Sequence, residues 1–89
     1  KLLASIAKGA IGDAFAELNQ PKEAIEYYKK AIRISSNNLT TPIFLMKCAN
    51  IYESEEKFQE AKSCYLEIQS DYPESSQAKN IEKYINKLK

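Results

Sequence analysis

Apolar residues recur at three- and four-residue steps in five successive stretches of the chain, a spacing that gathers them on one side of a helix. In the first stretch Leu3, Ala7, Ile11, Ala14 and Leu18 share a side that is expected to be covered. Asn19-Gln20 breaks the pattern, and Pro21 opens a second helix in its first turn, where a missing N–H costs nothing. Ala24, Tyr28, Ala31 and Ser35 line one side of this helix, with Ile25 and Ile32 beside them. Glu23, Glu26, Lys29, Lys30 and Arg33 lie opposite. Exposed charges of this kind contribute little to binding or stability, so the cluster reads as a solvated outer face rather than a contact for an acidic partner.

Ser36 to Thr41 form a loop, and Thr41-Pro42 restarts the chain as cap and first helical residue. The third helix is apolar nearly all round, through Ile43, Phe44, Leu45, Met46, Cys48, Ala49, Ile51 and Tyr52, as befits the centre of a domain. In the fourth, Phe58, Ala61, Tyr65, Ile68 and Tyr72 form the stripe, and Pro73 ends it. Ser75 or Ser76 caps a fifth helix in which Ala78, Ile81, Ile85 and Leu88 oppose Lys79, Lys83 and Lys87. The pattern thus predicts an all-α fold with helices near 2–19, 21–35, 42–54, 57–71 and 76–88.

The first four helices are one unit used twice. At a single offset of 37 residues, Gly12 falls over Ala49, Phe15 over Tyr52, Ala24 over Ala61 and Tyr28 over Tyr65. With both units laid out, the chain resembles the tetratricopeptide repeat family, whose unit is a helix-turn-helix of roughly 34 residues. The family's L-G-x-x-Y element appears as Ile11-Gly12-Asp13-Ala14-Phe15 and again as Cys48-Ala49-Asn50-Ile51-Tyr52. Its second-helix positions fall on Ala24, Tyr28 and Ala31, then on Ala61, Tyr65 and, as a departure, Ile68. Lys8 and Leu45 replace the family's tryptophan, and Ser36 replaces its first closing proline.

The resemblance implies antiparallel helix pairs in a superhelical stack, as a single domain over 1–89. Repeat one spans about 5–38, repeat two about 42–75, and a C-terminal capping helix about 76–88. Gly12 and Ala49 are expected to allow close approach of paired helices, and Tyr28 and Tyr65 to fill the gap between units. The Tyr72-Pro73-Glu74-Ser75 ending, followed by a short basic helix, is similar to repeat proteins of the bacterial cell envelope. That likeness implies a soluble segment on the cytoplasmic or periplasmic side of the envelope. The chain opens on Lys1 in mid-pattern, which reads as a fragment of a longer protein.

Charge and composition narrow the function. Thirteen Lys and Arg face twelve Asp and Glu, so no global field draws the chain to nucleic acid or an anionic membrane. The charge is uneven, with six positive and four negative groups in 1–38, three and seven in 39–75, and four and one in 76–89. No apolar run approaches a membrane span. The chain has no His, which removes the usual general base, metal ligand and triad partner. Cys48 and Cys64 lack metal-type spacing and read as unpaired buried thiols. Asp13 with Glu17 and Glu55 with Glu56 pair carboxylates, but without other site chemistry they read as solvated groups. No enzyme activity, cofactor or metal is expected.

The family resemblance implies a protein-interaction scaffold whose partner, a peptide or helix, lies in a concave groove lined by the first helix of each pair. The alternative is an architectural role, as terminal repeats of a longer solenoid with no ligand of their own. Removing the residues that face neighbouring helices leaves Ile43, Met46, Lys47 and Asn50 on the third helix, and Ile6, Gly9, Ala10 and Asp13 on the first. These are expected to form a shallow groove in which Met46 adapts its shape and Asp13, Lys47 and Asn50 fix orientation. A neighbouring repeat or the fifth helix filling the groove is the competing expectation. The carboxylate clamp of one subgroup is not present, since its positions hold Gly9, Asp13 and Lys47. Leu2, Leu3 and Ile6 begin without a cap, so self-association through the first helix is also expected.

Overall fold

The computed structural model describes residues 1–88. Five α-helices form without strands among these residues: α1 Leu2–Glu17, α2 Pro21–Ile34, α3 Thr41–Ser54, α4 Phe58–Asp71 and α5 Ile81–Lys87. A 3-10 turn, Ser76–Ala78, precedes α5. The two turns inside the units are copies of each other. Asn19 and Glu56, 37 residues apart, both sit in the left-handed region at φ 59° and 61°. In each turn the following N–H reaches back five residues, Gln20 to Phe15 at 2.9 Å and Lys57 to Tyr52 at 2.8 Å. The left-handed residue itself donates three back, Asn19 to Ala16 and Glu56 to Glu53. This pair of bonds is the Schellman ending, which satisfies the last carbonyls of one helix while turning the chain into the next.

α1 packs on α2 and α3 on α4, while α3 also packs on α2 and α5 rests on α4. The hairpins can approach closely because their facing positions are small. Ala24, Ala31, Ala49 and Ala61 are fully buried. A Cβ on Gly12 would stand 2.8 Å from the Tyr28 ring and 3.2 Å from the Ala24 carbonyl, so glycine is what lets α1 and α2 meet there. Tyr28 and Tyr65 are among the largest fully buried side chains, as the repeat spacing predicts. Phe44 of α3 stacks on Tyr28 at 6.0 Å, and Tyr84 of α5 stacks on Tyr65 at 5.5 Å.

Several expectations are corrected. The buried side of α1 is Ser5, Gly9 and Gly12, not the Leu3, Ala7, Ile11, Ala14, Leu18 stripe, which is exposed along its length. A small-residue side wins because α2 and α3 come too near for leucines, and the Ser5 hydroxyl is satisfied by donating to the Ala31 carbonyl at 2.8 Å. Phe58 is also exposed, at 48%. It stands 37 residues after Pro21 and so occupies the outward first-turn position rather than the core stripe. The expected helix over 76–88 is split, since Lys79 is extended and Asn80 is left-handed at φ 64°. Ser75 is the cap, its Oγ accepting from the Ala78 N–H at 3.1 Å. The break lets Ile81 drop into the core, with Ala78, Ile85 and Leu88 packed partly against it.

Candidate partner groove

The expected groove draws on the first helix of each unit, α1 and α3, and one ion pair joins these two helices. Lys47 Nζ of α3 donates to Asp13 Oδ1 of α1 at 2.8 Å. Tyr28 Oη, reaching up from α2, donates to the same carboxylate oxygen. Burial works to raise the pKa of Asp13, but the hydrogen bonds from Lys47 and Tyr28 and the charge of Lys47 outweigh it, so the net shift is downward. Tyr28 is pushed the other way, by burial first and then by its bond to that carboxylate. Lys47 also lies over the Tyr28 ring at 5.8 Å. A short polar bridge thus crosses the middle of the expected groove.

The eight expected groove residues divide into four sets. Ile6, Ala10 and Asn50 are exposed and open. Asp13 and Lys47 are brought together, but they spend their charges on each other instead of presenting two free polar groups. Gly9 is a correction: it is buried, and a Cβ there would overlap the Phe44 ring, so it seats α3 against α1 and does not line a groove wall. Ile43 and Met46 are only half-buried and pack against the core from its edge. Sequence spacing missed the Gly9 contact because a glycine carries no hydrophobic signal. It was nonetheless detectable, since Phe44 needs a small neighbour wherever α1 crosses α3.

The second seam has its own polar partner, which the sequence reading did not anticipate. Tyr65 Oη donates to Glu53 Oε2 at 2.7 Å, and Lys87 of α5 lies 3.4 Å from Glu53 Oε1. Asn50, which stands 37 residues after Asp13, is 3.5 Å from the Tyr65 hydroxyl. The carboxylate that serves Tyr65 is therefore one turn further along the helix than the repeat predicts. Burial and then Glu53 raise the Tyr65 pKa, so the phenol stays protonated.

A second concavity lies between α2, α3 and α4. This cleft of about 280 Å³ is floored by Ile32, Leu45, Cys48, Tyr52 and Cys64, and rimmed by Lys29 and Arg33 on one side and Glu60 and Glu67 on the other. Both thiols are free and buried. Burial pushes Cys48 up to about 12 and Cys64 up to about 11, which makes them poor nucleophiles at neutral pH. Their role here is to fill the core. Among the described residues no helix is long and apolar enough to cross a membrane.

Two models of the tetratricopeptide repeat family match the chain, over residues 6–38 and 45–75, which between them cover most of it. No curated protein and no solved structure matches it.

Proposed function

The chain belongs to the tetratricopeptide repeat family, whose repeats generally mediate protein–protein interaction, and from that premise we propose that it holds a peptide or helix of a partner protein against the paired faces of α1 and α3. The observation that carries this reading is the Asp13–Lys47 bridge, which sets the open side of α1 beside that of α3. Ile6 and Ala10 then offer an apolar strip on one helix, and Ile43 and Asn50 a half-buried apolar group and an exposed amide on the other. The binding energy would come from apolar side chains of the partner covering Ile6, Ala10 and Ile43, with Asn50 bonding the partner's backbone. The bridged charges contribute orientation and not attraction, because each is already neutralised.

Affinity capture with the 89-residue chain as bait tests this. Ala10→Arg places a bulky cation on the exposed wall without touching the core, and it should abolish capture of partners retained by the wild type. Arg33→Ala, on the rim of the outer cleft, should leave capture intact. The reverse pattern would move the site to the outer cleft. Loss in neither variant would place binding on another surface, and a wild type that captures nothing would favour a purely architectural role.

A further inference from the structure

The two units differ at one edge of their hairpins. In the first, Tyr27 of α2 stacks on Phe15 of α1 at 5.5 Å, and Lys30 and Lys8 lie over the Tyr27 ring at 4.4 and 5.8 Å. Thirty-seven residues on, Tyr52 takes the place of Phe15, but Cys64 takes that of Tyr27, and Leu45 and Glu67 take those of Lys8 and Lys30. Tyr52 accordingly stacks on no aromatic ring among the described residues. Cys48, in the place of Ile11, is a second small residue at this edge. The cleft of about 280 Å³ between α2, α3 and α4 opens where the second unit lacks these bulky side chains, and Tyr52 and both thiols line it.

The walls carry opposite charges. Lys29 and Arg33 stand one turn apart on α2, Glu60 and Glu67 about two turns apart on α4, and all four are exposed. None of them forms an ion pair among the described residues, so two cations face two carboxylates across the opening. Lys29 leans over the Tyr52 ring at 5.7 Å, which brings its ammonium to the floor. A purely anionic ligand would meet the α4 carboxylates, and a purely cationic one the α2 cations. A ligand with both charges on a planar apolar body matches floor and walls together: ring on Tyr52, carboxylate toward α2, ammonium toward α4. The volume lies at the small end of ligand pockets, which suits a single ring and its polar ends.

We propose that this cleft binds a free aromatic amino acid. Its ring takes against Tyr52 the place that Tyr27 takes against Phe15, its carboxylate meets Lys29 and Arg33, and its ammonium meets Glu60 and Glu67. The cleft shares no residue with the groove along α1 and α3, so its test is independent of partner capture. A ligand with so few atoms to bury should bind with a Kd of about 1 mM.

Titrating L-phenylalanine into the isotope-labelled 89-residue chain should give saturable backbone amide shifts centred on Ile32, Cys48, Tyr52 and Cys64. Acetyl-phenylalanine amide keeps the ring and loses both charges, and should bind at least about fivefold more weakly. Glu67→Lys restores the first unit's cation at an exposed position, and should weaken L-phenylalanine by a similar factor with helicity by circular dichroism unchanged. Cys64→Tyr refills the void with the first unit's own side chain and should abolish the shifts; if that variant does not fold, Glu67→Lys decides. Shifts that are absent, or that rise without saturating up to the solubility of L-phenylalanine, would overturn the proposal. Equal binding of the capped compound, or of L-phenylalanine by Glu67→Lys, would do the same by leaving the charged walls without a role. So would a folded Cys64→Tyr chain that still binds, since the ring would then sit elsewhere.

Discussion

Tyr28 and Tyr65 occupy equivalent places 37 residues apart, yet they close two different seams. Tyr28 lies between the units, under Phe44 of α3, with its hydroxyl on Asp13. Tyr65 lies between the second unit and the C-terminal segment, under Tyr84 of α5, with its hydroxyl on Glu53. Position 81, which stands 37 residues after Phe44, holds the buried Ile81, and position 84, equivalent to Lys47, holds the stacking Tyr84. The short α5 therefore sits where the first helix of a third unit would, and Tyr84 stacks on the second wedge from the position at which Lys47 lies over the first. A repeat fold specifies the wedge and the small residues beside it. The lid and the polar partner are chosen anew at each seam.

The largest effect should come from removing either wedge. Tyr65→Ala and Tyr28→Ala should each cost on the order of 3–5 kcal/mol, enough to unfold a domain of this size. If the two seams are energetically alike, chemical denaturation will give costs within about 1 kcal/mol of each other. A melting temperature within a few degrees of wild type for either variant would show that its seam does not hold the fold together.

Next in size is the contrast between Gly12 and Ala49. The second unit accepts a methyl group at this place, while in the first a Cβ would press on the Tyr28 ring and the Ala24 carbonyl. Gly12→Ala should destabilise by about 1–3 kcal/mol through overpacking, outweighing the gain in helix propensity. Ala49→Gly should also destabilise, by about 1 kcal/mol, through propensity and lost packing. Stabilisation by Gly12→Ala would mean that the Tyr28 ring and the Ala24 carbonyl yield to the added methyl group.

The repeated turn offers a gain. Asn tolerates the left-handed conformation at Asn19, but Glu56 adopts it at a steric cost. Glu56→Gly should stabilise by about 1 kcal/mol, and Asn19→Gly by less. Equal effects in thermal unfolding would refute the distinction between the two turns.

The smallest effect concerns the polar partner of the first seam. Asp13 has a pKa below its unfolded value, so its contribution is present above the ordinary carboxylate range and is lost as pH falls through the depressed folded value. Asp13 is half-exposed, which limits the pair to a few tenths of a kcal/mol and about 1 kcal/mol at most. Asp13→Asn should melt slightly below wild type at pH 7, and the gap should close in acid. A gap that persists at low pH would assign the loss to the Tyr28 hydrogen bond alone.

Much of this architecture is legible in the residues. The wedges, the alanines beside them and the enclosed α3 follow from large and small side chains repeating at one interval. The orientation of α1 does not, because hydrophobic periodicity weighs leucines and ignores glycines, and here Ser5, Gly9 and Gly12 face inward. Phe58 misleads for a related reason, since its place in the unit is an outward first-turn position that happens to hold an aromatic ring. The break at Asn80 depends on one backbone conformation that many sequences avoid. In the proposed groove, the exposure of Ile6, Ala10 and Asn50 is legible by elimination, whereas the mutual bond of Asp13 and Lys47 crosses 34 residues and needs the crossing of α1 and α3 to be known.

The central claim, that a partner lies along α1 and α3, is tested most directly by titrating a captured partner peptide into the isotope-labelled chain and following backbone amide shifts. The account predicts the largest shifts at Ile6, Ala10, Asp13, Lys47 and Asn50. Largest shifts at Glu26, Lys30 and Arg33 would place binding on the outer face of α2 and contradict it.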